Sequence, residues 1–144
     1  DPYLKNLGRI HDYVSLVSLE VLLRESDVVS VHCPLNEETR DLLDEARLGL
    51  MKPTAYLVNT ARGNIVNEVA LEKMLAEKRL AGAALDVLAS EPGRVDHPLF
   101  KHDNFLCTPH MAWHSSESAQ ELKRKAAEEV RRVMRGEAPL YKVN

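Results

Sequence analysis

Several features that sort protein chains into functional classes are scarce or missing here. There are two cysteines, Cys33 and Cys107, far apart and without metal-ligand spacing. That leaves no disulfide framework and no zinc pattern, and their strand-like flanks make both read as buried thiols of a reducing, cytoplasmic compartment. No apolar run approaches the ~18 residues that a membrane span needs, and no stretch reads as a secretory signal. An excess of one charge is lacking too: the formal net charge is −3. Basic residues gather only in Lys123–Lys125 and Arg131–Arg135, both interleaved with glutamate. Such a pattern is a solvated helix face, so composition makes no case for nucleic acid as a partner. The six glycines, Gly8, Gly49, Gly63, Gly82, Gly93 and Gly136, include no two that are two residues apart. A G-x-G-x-x-G turn, which would seat a pyrophosphate on a helix N-terminus, is therefore absent. There is no internal repeat and no low-complexity segment. The chain opens on Asp1-Pro2-Tyr3 without an initiator Met and reads as an excised piece of a longer protein.

What is present suits one soluble domain: 144 residues, of which 44% are hydrophobic, enough to bury a core. Ser18 is placed to cap a short helix with Leu19, Leu22 and Leu23 on one face. Val28–His32 reads as a buried strand ended by Pro34, which has no N–H to give a ladder. Asp44 is placed to cap a second short helix that stops at Pro53. The next strand is expected at Ala55–Asn59, a helix from Asn67 to about Lys78, and a third strand at Ala83–Val87. A polar loop should run from Ser90 to about Asn104, and a fourth strand from Phe105 to Thr108. Ser118 and Glu121 have capping-box spacing. Behind them Ala119, Leu122, Ala126, Val130 and Val133 recur at helical intervals, to a stop at Gly136 and Pro139. Strands alternating with helices predict an α/β fold with a mostly parallel sheet, whose ligands gather at the carboxyl ends of the strands.

Those strand ends carry the chemistry. The first leads to His32-Cys33-Pro34-Leu35-Asn36, the second to Asn59-Thr60-Ala61-Arg62-Gly63. The third ends on Asp86 with Glu91-Pro92 beyond it, and the fourth leads to Pro109-His110. Taken singly, Arg62 reads as a loop-anchoring arginine, Glu91 as a loop carboxylate, His110 as a satisfied histidine in a turn and Asp86 as a turn cap. Brought into one crevice they suit hydride transfer to a carbonyl. A histidine can give the carbonyl oxygen its proton, and a neighbouring carboxylate stabilises an imidazolium. A guanidinium can grip a 2-oxo acid carboxylate in two-pronged fashion. A carboxylate such as Asp86 suits a carboxamide NH₂.

Four stretches resemble signatures of the D-2-hydroxyacid dehydrogenase family. They are Ser26-Asp27-Val28-Val29-Ser30-Val31-His32-Cys33-Pro34-Leu35 with Thr39, then Met51–Gly63, then Gly82–Val87 with Glu91-Pro92, and Thr108-Pro109-His110. They occur in the family's order and span nearly the whole chain. The resemblance implies a Rossmann-like parallel sheet with flanking helices, present as a partial domain that lacks the first strands. Residues 1–112 would be the partial NAD-binding domain, and residues 113–144 a C-terminal helix and tail packing back toward a substrate domain. With the strand order 3-2-1-4-5-6, this reading expects a gap between the strand at Val28–His32 and that at Ala55–Val58, leaving two unpaired edges.

The resemblance also implies roles. Arg62, Glu91 and His110 would be catalytic, with His110 as proton donor paired to Glu91 and Arg62 on the substrate carboxylate. Asp1 would hold the adenosine ribose and favour NAD over NADP. Cys33, Pro34, Leu35, Asn36, Thr39, Thr60 and Ala61 would line the cofactor together with Arg62 and His110, Asp86 would hold the nicotinamide carboxamide, and Trp113 would close over the site. The expected reaction is NAD-dependent reduction of a small 2-oxo acid to a D-2-hydroxy acid, in a homodimer at full length. A second expectation is an NAD(H)-binding corepressor-type interaction protein, nuclear rather than cytoplasmic. Trp113 and the run after it resemble the C-terminal-binding-protein clade, although His114 stands where that clade has tyrosine. The missing glycine-rich turn implies that the chain alone is inactive.

Overall fold

The computed structural model describes residues 13–142. They fall into two compact units, one ending at His110 and the other beginning at Met111.

The first unit is built on four short parallel strands, β1 (Val28–Val31), β2 (Tyr56–Asn59), β3 (Gly82–Leu85) and β4 (Phe105–Cys107). Their spatial order is their chain order. Val29 lies beside Leu57, Leu57 beside Ala83, and Ala83 beside Phe105. This corrects the expected gap: β1 pairs directly with β2 along its whole length. Each crossover steps one place along the sheet in the same direction, so no strand from elsewhere has to sit between them. The edges without a partner strand among the described residues are the outer sides of β1 and β4.

The strands alternate as period two requires. Val29, Val31, Leu57, Ala83 and Leu85 are buried, while Val28, Tyr56 and Leu106 on the opposite face are more than half exposed. The buried face meets Leu71, Met74 and Leu75 of α3 (Glu68–Ala76), Leu48 of α2 (Glu45–Leu48) and Leu23 of α1 (Leu19–Glu25) in one cluster. Leu57 and Leu71 are fully buried, and truncating either to alanine should cost about 2–5 kcal/mol.

Each of these helices starts where its sequence carries an acceptor. Ser18 takes the Val21 N–H, Asp44 that of Arg47 and Asn67 that of Ala70. The predicted strands and helices are found with displaced ends: β3 begins one residue early at Gly82, α2 stops short at Leu48, and the others differ by one to three residues. The polar loop after β3 is less irregular than expected: Pro98–Lys101 forms a 3₁₀ turn, with Pro98 at its start and His97 as its cap.

The second unit carries α4 (Ser116–Met134). Its capping box lies three residues before the expected one, because Ser115 and Ser118 bond reciprocally. The expected glutamate at the third helical position is replaced by a serine hydroxyl that does the same work. Gly136 terminates the helix at φ +76°. The basic clusters are paired on its surface, Arg124 with Glu128, Lys125 with Glu121 and Arg132 with Glu129.

Candidate active site

The loops that leave the carboxyl ends of the strands are tied to one another. After β1, Thr39 closes a tight turn: its hydroxyl donates to the Pro34 carbonyl (2.6 Å) and accepts the Asn36 N–H (2.8 Å). The following residues bond to the loop after β2, with Asp41 N–H to Asn64 O at 2.8 Å and Leu43 N–H to Ile65 O at 3.0 Å. In this turn Cys33, Leu35 and Thr39 are half-buried, while Pro34 and Asn36 are exposed.

The loop after β2 is organised by Asn59, a fully buried side chain. Its carboxamide oxygen accepts the Ala61 N–H and its NH₂ donates to the Arg62 carbonyl, both at 2.9 Å. Thr60 and Arg62 are thereby held outward and exposed, and the Arg62 guanidinium donates to the Ala61 carbonyl at 2.6 Å. Gly63 follows because nothing larger fits. A β-carbon there would lie 2.0 Å from the Leu88 carbonyl carbon, since the chain leaving β3 crosses directly over it.

Beyond β3 and β4 the chemistry converges. Asp86 is 4% exposed and accepts the Thr108 hydroxyl. The Asp86 carbonyl accepts the His110 N–H at 2.9 Å. His110 adopts φ +53°, a left-handed conformation that costs a non-glycine residue about 1 kcal/mol or more and persists only where neighbours hold it. Here the main-chain bond to Asp86 and the side-chain bond to Glu91 do so, with Nδ1 2.8 Å from Glu91 Oε2. Glu91 is oriented in turn by the Leu88 N–H, which donates to its other oxygen at 3.1 Å. An ionised carboxylate only accepts, so Nδ1 carries the proton of this hydrogen bond.

Asp86, Glu91, Thr108 and His110 line an open cleft of about 680 Å³, whose apolar side includes Leu88, Phe100 and Phe105. Cys107 also faces it, and burial first, then the charges of Asp86, Glu68 and Glu91, push its thiol above the ordinary range.

The structure thus brings Asp86, Glu91 and His110 into one cluster. Arg62, Thr60 and Ala61 lie on the adjoining strand end, and Cys33 through Thr39 on the one beyond. Trp113 belongs to the second unit, where its carbonyl accepts the Ser118 hydroxyl at 2.7 Å and its ring meets His114 edge-on. Asp1 lies outside the described residues. Three residues that shape this cluster were given no role by the sequence reading: Asn59, Gly63 and Thr108 as the partner of Asp86. Only Asn59 left a signal, a polar side chain at a core-facing position of an otherwise apolar strand.

Residues 1–112 match the sequence profile of the D-isomer specific 2-hydroxyacid dehydrogenase NAD-binding domain. A glyoxylate reductase of Thermofilum pendens is 47% identical over 131 residues, covering 91% of this chain and 39% of that protein. Among solved structures, a protein from Thermus thermophilus superposes with a TM-score of 0.86 at 39% identity, over 94% of this chain and 44% of the other. An NAD-complexed D-isomer specific 2-hydroxyacid dehydrogenase from Lactobacillus delbrueckii ssp. bulgaricus does so with a TM-score of 0.80 at 32% identity, over 88% and 43%. The chain spans about two fifths of the length of the curated relatives it matches.

Proposed function

We propose, on the premise that this chain belongs to the NAD-binding domain of the D-isomer specific 2-hydroxyacid dehydrogenase family, that it supplies the cofactor side and the proton-transfer pair of an NAD-dependent 2-oxo acid reductase. The observation that carries this reading is the Glu91–His110 pair, 2.8 Å apart at the carboxyl end of the sheet beside the buried Asp86. The substrate class follows the relatives, several of which are glyoxylate reductases. A short 2-oxo acid such as glyoxylate is therefore the first to try.

The residues present suit a nicotinamide. Asp86 is an almost buried carboxylate at the cleft wall that takes the Thr108 hydroxyl, and it is an acceptor of the kind a carboxamide NH₂ needs. The turn around Thr39, the outward-held Thr60 and the partly buried Ala61 border the same sheet end. When bound, the cofactor supplies the hydride. His110 Nε2 gives the carbonyl oxygen its proton as negative charge develops there, and Glu91 holds the ring and balances the imidazolium before transfer. Arg62, fixed in place by Asn59, takes the substrate carboxylate and draws on the adjacent carbonyl.

A non-catalytic NAD(H) sensor would have no use for a fixed proton donor, which favours the enzyme over the corepressor-type reading. The test is an NADH fluorescence titration of the full-length protein, followed by assays with glyoxylate, pyruvate and hydroxypyruvate. His110→Gln should lower kcat by about 10²–10⁴-fold and leave NADH affinity nearly unchanged. Arg62→Lys should lower kcat/KM, because an ammonium cannot make the two-pronged contact. Full turnover by the His110 variant would remove the acid–base assignment.

A further inference from the structure

We propose that Glu68, assisted by His97, is a positioning residue for the Glu91–His110 pair; the inference rests on reading that pair as the acid–base device. Glu68 opens α3. A glutamate in a helix's first turn ordinarily faces solvent and the positive end of the dipole. This one is only 15% exposed in its side chain, and both its oxygens are committed to the long loop between β3 and β4. Oε1 accepts the Ala89 N–H at 2.7 Å, and Oε2 lies 3.3 Å from His97 Nε2. His97 Nδ1 accepts the Leu99 N–H at 3.3 Å, so one neutral tautomer, with its proton on Nε2, satisfies both contacts. Leu99 is fully buried and anchors this end of the loop in the core.

The loop is therefore fastened at Ala89 and at His97, and Glu91 lies between the two points. The consecutive amides of Leu88 and Ala89 are aimed at two different carboxylates, Leu88 at Glu91 and Ala89 at Glu68. Releasing Ala89 frees the peptide next to the one whose N–H orients Glu91, and Glu91 orients His110. One turn further along α3, Glu72 holds Lys101 and His102 near the far end of the loop. It fastens the same segment without bracketing Glu91 and serves as the control.

The experiment compares Glu68→Ala, Glu68→Gln and Glu72→Ala in the full-length protein, with rates counted per NADH-binding site. Glu68→Ala should lower kcat about tenfold while NADH affinity and the KM for glyoxylate move by less than about twofold. Glu68→Gln keeps an acceptor for the Ala89 N–H and should recover most of the loss. Glu72→Ala should keep the wild-type kcat. In a His110→Gln background, adding Glu68→Ala should change nothing further, because both act through one device. If Glu68→Ala does not fold, His97→Ala takes its place, with a smaller loss of kcat expected. The inference is overturned by an unchanged kcat in whichever of these two variants folds. It is also overturned if Glu68→Ala cuts the residual rate of His110→Gln by the same factor as it cuts the wild type. A wild-type rate undiminished by His110→Gln itself would instead remove the acid–base reading beneath it.

Discussion

Replacing Gly63 by alanine probes the contact that locks the Arg62 loop to the Glu91 loop. The added β-carbon would fall 2.0 Å from the Leu88 carbonyl carbon, 2.1 Å from its oxygen and 2.4 Å from the Ala89 nitrogen, whereas ordinary contact begins at 3.4 Å. The nearest atom must therefore retreat by about 1.4 Å, the difference between 3.4 and 2.0 Å. Gly63 itself has little room to yield, since Asn59 grips the Arg62 carbonyl before it and the Val66 N–H bonds to its own carbonyl. The displacement falls on Leu88 and Ala89, whose N–H groups bond to Glu91 and Glu68. Overpacking costs about 1–3 kcal/mol, and each weakened bond to a charged acceptor up to about 1.5–3 kcal/mol. With partial relaxation the expected loss is about 3 kcal/mol, roughly 10 °C in Tm for a chain of this size. A shift of about 1 Å in Glu91 should also lower kcat by about 10²-fold. Gly136→Ala is the comparison: nothing lies within 4 Å of its β-carbon, and only the positive φ of 76° is strained, so it should cost about 1 kcal/mol and spare kcat. Thermal melts and steady-state kinetics on both variants decide the matter. A Gly63→Ala protein that melts within about 2 °C of wild type with its kcat intact would refute the close-approach reasoning.

Asn59→Leu fills the same space but strands the Ala61 N–H and the Arg62 carbonyl, so it should destabilise by about 2–5 kcal/mol in denaturant titrations and lower kcat/KM through Arg62. Glu72 is held below the ordinary carboxylate range by Lys101 and then His102. Because its folded-state value is depressed, its contribution is present above that range and lost as pH falls through the depressed value. The Tm deficit of Glu72→Gln should accordingly be seen at neutral pH and vanish in acid, and a deficit that persisted in acid would count against the ion pair. Cys107, raised by burial and by nearby carboxylates, should show an alkylation rate that still climbs at pH values where an ordinary thiol has levelled off.

The sheet and the caps were legible because local chemistry specifies them. Val29 and Val31 alternate with exposed residues in β1, and Ser18, Asp44 and Asn67 each sit where a helix needs an acceptor. Strand neighbours were less legible. Nothing within Val28–Val31 says whether its partner is Leu57 or a strand elsewhere, since both arrangements bury the same side chains; the pairing is decided by the direction in which each crossover returns. The capping box of α4 was misplaced for a similar reason, because a serine hydroxyl at Ser118 replaced the carboxylate that the spacing rule looks for.

The candidate site divides along the same line. Arg62, Asp86, Glu91 and His110 are visible in the sequence because each follows a strand of one parallel sheet, which brings them to a common end although each has an ordinary structural reading alone. The residues that aim them are not. Gly63 matters only because Leu88, twenty-five positions along, crosses its α-carbon. Glu68 looks like an ordinary first-turn glutamate until Ala89 and His97 close on its two oxygens. Both depend on contacts between segments that are distant in sequence, and both act on the same short peptide at Leu88–Ala89. A single step of backbone there is therefore coupled to the Arg62 loop from below, to α3 from the side and to Glu91 ahead of it. That convergence explains how a long, mostly exposed loop can hold a carboxylate 2.8 Å from its histidine. It also explains why substitutions at Gly63 and Glu68, neither of which is placed to touch substrate, should impair the same step.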